Sequence, residues 1–268
     1  TEYEDLVDKA NRLLVMDTLD SRDVIRAALD RLINDKALAC EGIDGRILVA
    51  RPNIHRMERD LAVTFRRGHD RNPSLPLIPD PAGYVQSIAP RLNEGQQQAV
   101  VAVMGHTVTV ITGGAGSGKT FTVDALCAIY EDQGLEVTLC APTGKAAKRM
   151  EESTDREACT IHRLLQYNGR EFEFQGPLDT DLLVVDEVSM VDVPLFWHLL
   201  QAVDLSRTAL VLVGDHNQLP PVGPGSVLRD LLATRAVPVV VLDQVVRQAG
   251  ILKENCSAIL RGEVAASS

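Results

Sequence analysis

The eight residues Gly113-Gly114-Ala115-Gly116-Ser117-Gly118-Lys119-Thr120 decide the fold class of this chain. They fit the pattern G-x-x-x-x-G-K-S/T, in which the glycines let backbone N–H groups wrap around a phosphate. The apolar run 108–112 before them predicts a buried strand. Residues 121–130 after them predict a helix, whose N-terminus favours negative charge. A strand, this loop and a helix in that order predict a site for a nucleoside triphosphate.

Four side chains are expected to carry the chemistry of this site. Lys119 is positioned to reach the β- and γ-phosphates, and the Thr120 hydroxyl to ligate Mg²⁺. The apolar run 182–186 ends in two carboxylates, at the edge of the sheet where α/β folds bind ligands. Asp186 is expected to hold Mg²⁺ together with Thr120, and Glu187 to activate the attacking water as a general base. The sequence therefore predicts ATP and Mg²⁺ as cofactors.

Two further polar positions lie later in the chain. The polar cluster 214–221 follows the apolar run 209–213, which suits a sensor of the γ-phosphate; an ordinary turn is the alternative. Arg247 is expected to bring a cation to the charge that develops on the transferred phosphoryl group.

The segment from residue 92 onward alternates between apolar strands and amphipathic helices. Strands are expected at 107–112, 136–141, 182–186, 209–214 and 237–242. This alternation predicts an α/β fold, a parallel sheet with helices on both faces.

The first 72 residues show a different pattern. Helical spacing predicts a helix over 23–34, and the runs 37–40 and 46–50 predict a hairpin turning at 42–45. A further helix that bears several arginines is expected at 53–67. Helix followed by hairpin resembles a winged-helix module, and a small packing domain without DNA contact is the open alternative. Four prolines then predict a linker and connecting helix at 73–91.

Bulk composition excludes several classes of protein. The net charge of −10 argues against a uniformly basic nucleic-acid binder, yet a local basic track remains at Lys145, Lys148, Arg149, Arg163 and Arg170. Five scattered cysteines without a C-x-x-C pair predict reduced thiols and a cytoplasmic location. No apolar run approaches the roughly 18 residues of a membrane span, so no membrane partner is expected.

The motifs together resemble those of the RecD-like DNA helicases of superfamily 1, P-loop proteins with a RecA-like sheet that translocate 5′ to 3′. The resemblance covers residues 92–263, and the motifs follow the family's order. Two positions depart from it, because Val188 replaces an alanine and Asn217 stands where an aspartate is common. The matching stretches are Leu92-Asn93-x-x-Gln96-x-x-Ala99-Val100 (the Q-motif), the phosphate loop (motif I), Ala141-Pro142-Thr143-Gly144-Lys145-Ala146-Ala147 (motif Ia), Thr160-Ile161-His162-Arg163-Leu164-Leu165 (the next DNA-contacting motif), Asp186-Glu187-Val188-Ser189-Met190 (the family's D-E-A-S-M), Gly214-Asp215-His216-Asn217-Gln218-Leu219-Pro220 (motif III) and Val246-Arg247-Gln248-Ala249 (motif IV).

The resemblance implies a role for individual residues. Gln96 would bind adenine, the residues from Gly113 to Phe121 would hold the nucleotide, and Gln218 and Arg247 would report the γ-phosphate. The residues implied to contact single-stranded DNA are Pro142, Thr143, Gly144, Lys145, Thr160, His162, Tyr167 and Arg170.

An inserted hairpin is expected at about 164–176, because Asn168-Gly169 lies between strand-forming residues. In RecD-like helicases a hairpin at this place is the pin that splits the duplex. Tyr167 and Phe172 would then offer stacking faces to an unpaired base. A hairpin that only packs on the core is the alternative.

The resemblance implies an ATP-dependent 5′–3′ DNA helicase of repair or recombination, acting on single strands and on junctions with duplex. The motifs of a second RecA-like domain do not follow Arg247. We therefore expect an N-terminal module (1–72), a linker (73–91) and a first motor domain (92–268) of a longer, more active protein. Two alternatives stay open: the helicase portion of a conjugative relaxase, and a non-translocating ATP- and DNA-binding subunit of a nuclease complex.

Overall fold

The computed structural model describes residues 1–14, 21–66 and 71–243. Arg247 and the rest of motif IV lie outside these ranges. The chain divides into two compact units, Thr1–Thr64 and Phe65–Ser268. Within the described ranges, no helix is long and apolar enough to cross a membrane.

The first unit combines helices with one hairpin around a small core of Val7, Ile25 and Leu29. Asp44 and Gly45 form the turn with φ of 50° and 75°, as a two-residue hairpin turn requires. Gly42 and Ile43, expected in the turn, instead pair with the facing strand, so the first strand begins and ends later than predicted. The elements that begin in this unit are α1 (Tyr3–Leu14), α2 (Arg22–Asn34), β1 (Ala39–Ile43), β2 (Arg46–Ala50) and α3 (Pro52–Arg66).

The second unit is built on a six-stranded parallel sheet of order β5-β4-β6-β7-β3-β8, flanked by helices. The predicted α/β fold is confirmed. The strands are β3 (Val108–Gly113), β4 (Val137–Ala141), β5 (Ala158–Thr160), β6 (Leu182–Val185), β7 (Ala209–Gly214) and β8 (Val239–Leu242). The helices are α4 (Pro81–Ile88), α5 (Glu94–Gly105), α6 (Lys119–Asp132), α7 (Gly144–Thr154), α8 (Ile161–Leu164), α9 (Val193–Gln201) and α10 (Val227–Thr234), with a 3₁₀ turn at Val188–Met190.

The central strands are buried throughout because helices cover both of their faces. Every residue of β3, β6 and β7 is buried, which is the pattern of parallel strands in α/β domains. β8 begins at Val239 rather than 237, because Pro238 has no N–H to donate and only its carbonyl accepts, from Val110 N. The carboxyl ends of all these strands meet at one edge, where the loops that follow them gather.

The proline-rich segment before α4 is anchored to the second unit by Asn72, which is 3% exposed. Its side-chain Nδ2 donates to the Val103 carbonyl and to the Tyr130 hydroxyl, at 2.7 and 2.6 Å. Its Oδ1 accepts from the backbone N–H groups of Ser74 and Leu75. One amide therefore satisfies four polar groups, three of them in buried hydrogen bonds.

We expect Asn72→Ala to lower the free energy of unfolding by about 2–4 kcal/mol, because it leaves several buried donors and acceptors unpaired. Gln201→Ala is the control, since Gln201 is exposed at the end of α9. Its effect should stay within about 0.5 kcal/mol. Urea denaturation of both variants measures the difference, and equal midpoints would contradict the anchoring role of Asn72.

Gly113, the last residue of β3, is packed against β8. A Cβ atom at Gly113 would lie 2.5 Å from the Leu242 carbonyl oxygen and 2.6 Å from Ser117 Oγ. At the next residue, Gly114, a Cβ would meet no described atom within 4 Å. Only the first of the two glycines is required by packing.

Gly113→Ala should therefore lower the free energy of unfolding by about 1–3 kcal/mol through overpacking. Gly114→Ala should leave it unchanged or raise it by up to about 1 kcal/mol, because alanine restricts the unfolded chain. Thermal or urea unfolding of the pair gives the comparison. A Gly114→Ala variant as unstable as Gly113→Ala would show that the steric argument is wrong.

Candidate functional site

The phosphate loop joins β3 to α6 at the carboxyl edge of the sheet. Gly116 and Gly118 have φ of 79° and 87°, a left-handed conformation that favours glycine. α6 begins at Lys119, two residues earlier than predicted, so Lys119 and Thr120 lie in its first turn. The first-turn N–H groups and the helix dipole face the loop, as anion binding requires.

Lys119 donates from Nζ to the carbonyl oxygens of Gly113 and Gly114, at 2.6 and 3.0 Å. These bonds hold the side chain against the phosphate loop, so its ammonium group lies beside the backbone of that loop. An ammonium group has three donors on a flexible stem. It can therefore exchange a carbonyl for a phosphate oxygen while it stays within the loop.

Asp186 follows β6 and lies close enough to Lys119 for their charges to interact. The pKa of Asp186 is raised to about 6, chiefly by burial and to a smaller extent by the charge of the neighbouring Glu187 carboxylate. The N–H of Glu187, which donates to Asp186 Oδ1 at 2.8 Å, and the charges of Lys119 and Arg149 act in the opposite direction on this pKa. A buried carboxylate with cations beside it is a chemically reasonable ligand for a divalent metal.

Glu187 has an unusual backbone and an unpaired carboxylate oxygen. Its φ of 53° is left-handed, a conformation that costs a residue other than glycine roughly 1–3 kcal/mol. Its Oε2 is buried and has no hydrogen-bond partner among the described residues. Such strain and an unpaired acceptor are typical of functional positions, and this oxygen can accept a hydrogen bond from a water molecule.

The loop after β7 brings a second polar group to the same place. Gln218 accepts at Oε1 from the Ser189 hydroxyl of the 3₁₀ turn, at 3.3 Å. The Thr112 hydroxyl of β3 contacts His216 Nδ1 at 3.0 Å. The ends of β3, β6 and β7 are thereby linked through side chains of their loops.

Gln96 lines the site and also makes hydrogen bonds within the protein. Its Oε1 accepts from the Asn93 N–H and its own N–H donates to Asn93 Oδ1, which forms a capping box at the start of α5. Its Nε2 donates to the Gly118 carbonyl at 3.4 Å. The amide keeps a second N–H on Nε2 and a second lone pair on Oε1, which are available for the contact with adenine that the resemblance implies.

These groups surround one cavity of about 720 Å³. The cavity brings together Gln96, residues 115–121, Asp186, Glu187 and Gln218, while Gly113 and Gly114 lie behind it as acceptors for Lys119. Sequence reasoning missed one wall, formed by Ala146, Arg149, Met150 and Ser153 of α7, and also missed Arg91. The spacing i, i+3, i+4, i+7 was the available signal, because it places these residues on one helical face.

The oxygen ligands of the cavity suit Mg²⁺. The Thr120 hydroxyl and the Asp186 carboxylate are hard donors, and Mg²⁺ is commonly held by one or two carboxylates plus substrate phosphates. The described ranges hold no group of three or more His, Cys, Asp or Glu residues arranged for a metal.

The residues implied to contact DNA lie beside this cavity, where β4 and β5 end. Thr143 and Thr160 cap α7 and α8, accepting from Ala146 N and Arg163 N at 3.2 and 3.1 Å. Each hydroxyl keeps its own proton, which can donate to a phosphate oxygen. Lys145 is exposed in the first turn of α7. Pro142 and Gly144 flank Thr143, so these groups form a row along the sheet edge.

The inserted hairpin lies within the expected range 164–176. A single bridge joins Tyr167 to Phe172, and residues 168–171 form the loop. Asn168 closes it by accepting at Oδ1 from the N–H groups of Arg170 and Glu171. The short polar side chain organises a four-residue loop, so the strand ladder is one pair long. His162, Tyr167 and Arg170 line a second cavity of about 560 Å³.

The sequence matches a family model described as an AAA domain over residues 96–224. It is 40% identical over 227 residues to the ATP-dependent RecD2 DNA helicase of Deinococcus radiodurans, covering 83% of this chain and 31% of the relative. It is 37% identical over 164 residues to the RecBCD enzyme subunit RecD of Haemophilus influenzae, covering 51% and 26%. The chain thus spans about a third or less of the length of these two relatives.

A solved structure shows the same fold. The Pif1 helicase from Candida albicans superposes with a TM-score of 0.51 at 22% identity, over 65% of this chain and 45% of that one. The likeness supports the RecA-like character of the sheet. Three observations indicate the same family: the phosphate loop, the acidic end of β6 and the sequence similarity to RecD2 and RecD. The chain belongs to the RecD-like group of superfamily 1 helicases and carries a motor domain of that group.

Proposed function

We propose that this chain is the motor portion of an ATP-dependent DNA helicase that moves 5′ to 3′ on single-stranded DNA and separates duplex in repair or recombination. One observation carries the proposal: the cavity of about 720 Å³ gathers Lys119, Asp186, Glu187 and Gln218. These residues come from three separate segments of chain, the start of α6 and the loops after β6 and β7. A lysine, a metal-binding carboxylate, a general base and a sensor are the parts that phosphoryl transfer to water requires.

Binding begins at the loop. The N–H groups of residues 115–120 and the start of α6 take the phosphates, and Lys119 moves from its carbonyl partners to the β- and γ-phosphates. Thr120 and Asp186 would hold Mg²⁺, which neutralises charge on the phosphates. Gln96 and the wall of α7 enclose the remainder of the nucleotide.

Hydrolysis depends on the turn that follows β6. The unpaired Oε2 of Glu187 accepts a proton from water and orients that water toward the γ-phosphorus. Gln218, held by Ser189, is placed to detect whether the γ-phosphate is present. Arg247 is proposed as a further cation at the γ-phosphate, although it lies outside the described residues.

DNA contact is proposed for the row at the ends of β4 and β5. Thr143, Lys145 and Thr160 offer donors to the backbone of a single strand, a kind of contact that positions the strand without selecting sequence. The hairpin beyond them suits a junction between single strand and duplex. A cytoplasmic location agrees with this role, and nuclease subunits are proposed as partners of the longer protein.

The similarity to RecD2 favours a helicase over a purely structural subunit. It covers 83% of the chain at 40% identity, against 51% at 37% for the RecD subunit of Haemophilus influenzae. Stimulation of ATP hydrolysis by single-stranded DNA in the longer protein tests this choice. Absence of stimulation would favour the non-translocating role.

Two substitutions should separate nucleotide binding from hydrolysis. Lys119→Ala should weaken ATP binding about 10- to 100-fold, because it removes a charge-assisted contact to the phosphates. Glu187→Gln should bind ATP normally but slow hydrolysis about 10²- to 10⁴-fold, because it removes the general base. Equilibrium binding of a fluorescent ATP analogue and single-turnover hydrolysis measure the two effects. Normal hydrolysis by Glu187→Gln would contradict the assignment of the base.

Arg149 is expected to contribute to the affinity for triphosphate. It is exposed, lines the cavity and lies near Asp186, so Arg149→Ala should weaken ATP binding about tenfold. Lys148→Ala is the matched control, because Lys148 is the adjacent cation on α7, pairs with Glu152 at 3.9 Å and does not line the cavity. Similar losses in both variants would show a general effect of charge instead of a contact.

A further inference from the structure

The second cavity, of about 560 Å³, lies between the inserted hairpin and α9. Its walls come from α8, the hairpin loop, the 3₁₀ turn and the start of α9. Four rings form its most distinctive part, and we call them the ring cleft: His162, Tyr167, Phe172 and His198. Tyr167 and Phe172 were expected from the sequence to have a stacking role in the hairpin, but no role was expected for His198, and the four rings were not expected to share one cavity.

The rings of the cleft form a connected series. Centroid distances are 4.9 Å between Tyr167 and Phe172, 5.2 Å between His162 and Tyr167, and 4.5 Å between Phe172 and His198. Aromatic rings at these separations interact favourably in offset or tilted arrangements. The series runs from Tyr167, 42% exposed, to the half-buried His198. Burial lowers the pKa of His198, so its ring is neutral near pH 7.

The cleft is continuous with the proposed DNA row. Thr160, at the end of β5, caps the short helix that holds His162, so the row and the cleft share one element. Met190, 47% exposed, borders the cleft from the turn that follows β6. A strand that follows the row along the sheet edge passes the open side of the cleft.

The charges of the cleft suit a base better than a phosphate chain. Arg170 is one cation at its rim, whereas Glu171 and Asp192 are carboxylates. Asp192 is fixed, because its Oδ1 accepts from Leu195 N at 2.9 Å as the cap of α9. Carboxylates repel phosphates but accept from the amino groups of base edges. The arrangement therefore places a base inside and the backbone outside, beside Arg170.

We propose that the ring cleft binds one unpaired nucleobase of the single strand, stacked against Phe172 and His198 with its phosphate at Arg170. The inference rests on the proposed function, because it assumes that single-stranded DNA follows the adjacent row. The cavity volume lies within the range of small-ligand pockets, about 300–1,000 Å³. Stacking of bases on aromatic rings is common in single-strand binding and tolerates any base.

The test is a scan with abasic sites. Single-stranded oligonucleotides of about 12 nucleotides, within the site sizes of single-strand binding folds, are anchored in one register by a short duplex at one end. An abasic nucleotide is then moved along the strand. With the 268-residue chain, one position should weaken binding about 5- to 50-fold, the loss of one stacked base. The other positions should change it little.

Matched substitutions show whether this position belongs to the cleft. Phe172→Leu keeps apolar volume without a ring and should abolish the dependence on position, whereas Phe172→Trp keeps a ring and should retain it. His198→Gln should reduce the dependence as well. Unfolding midpoints close to that of the unchanged chain show that each variant is folded.

The outcomes separate the two proposals. Binding without any position dependence, or a dependence that Phe172→Leu leaves intact, would overturn the cleft as a base site and leave the proposed function in place. No measurable binding of any single strand would overturn the proposed DNA interface and the cleft together.

Discussion

The parallel register of β3, β6 and β7 determines where each charged group of the nucleotide cavity lies. Thr112 of β3 is level with Gly214 of β7, and Val185 of β6 is level with Leu212 of β7. The three strands therefore end within a few residues of each other at one edge. A slip of one residue would turn the side chains of a strand to the opposite face. The hydrogen bonds between these strands fix where each strand ends. They thereby bring Lys119, the two acids and Gln218 to one place.

Much of this arrangement was predictable from the sequence because the relevant signals are local and strong. β7 was predicted with its exact bounds, and β3, β4 and β6 were each predicted within one residue at either end. β5 was missed because three residues are too few to show a period. The position of β8 was predicted too early because Pro238 falls in an otherwise apolar run and cannot donate to the ladder.

The candidate site was predictable where a residue belongs to a specific pattern. Lys119 belongs to the phosphate-loop pattern, and Asp186 and Glu187 are two acids at the end of an apolar strand. The wall of α7 was missed because a stripe of Ala146, Arg149, Met150 and Ser153 mixes small, charged, apolar and polar side chains. The ring cleft was missed because His198 lies on α9, far in sequence from the hairpin. The place of the hairpin was predictable from Asn168-Gly169, but the length of its loop was not, because Asn168 can organise loops of different lengths.

The 3₁₀ turn Val188–Met190 has a consequence for communication between the two cavities. It starts directly after the left-handed Glu187, its middle residue Ser189 bonds to Gln218, and its last residue Met190 borders the ring cleft. Adjacent residues of one turn thus contact Gln218 of the nucleotide cavity and the edge of the ring cleft. Under the two proposals, a DNA strand bound at Met190 and a nucleotide bound at Gln218 would act on the same short segment, so strand binding could change the rate of ATP hydrolysis without any shift of the sheet.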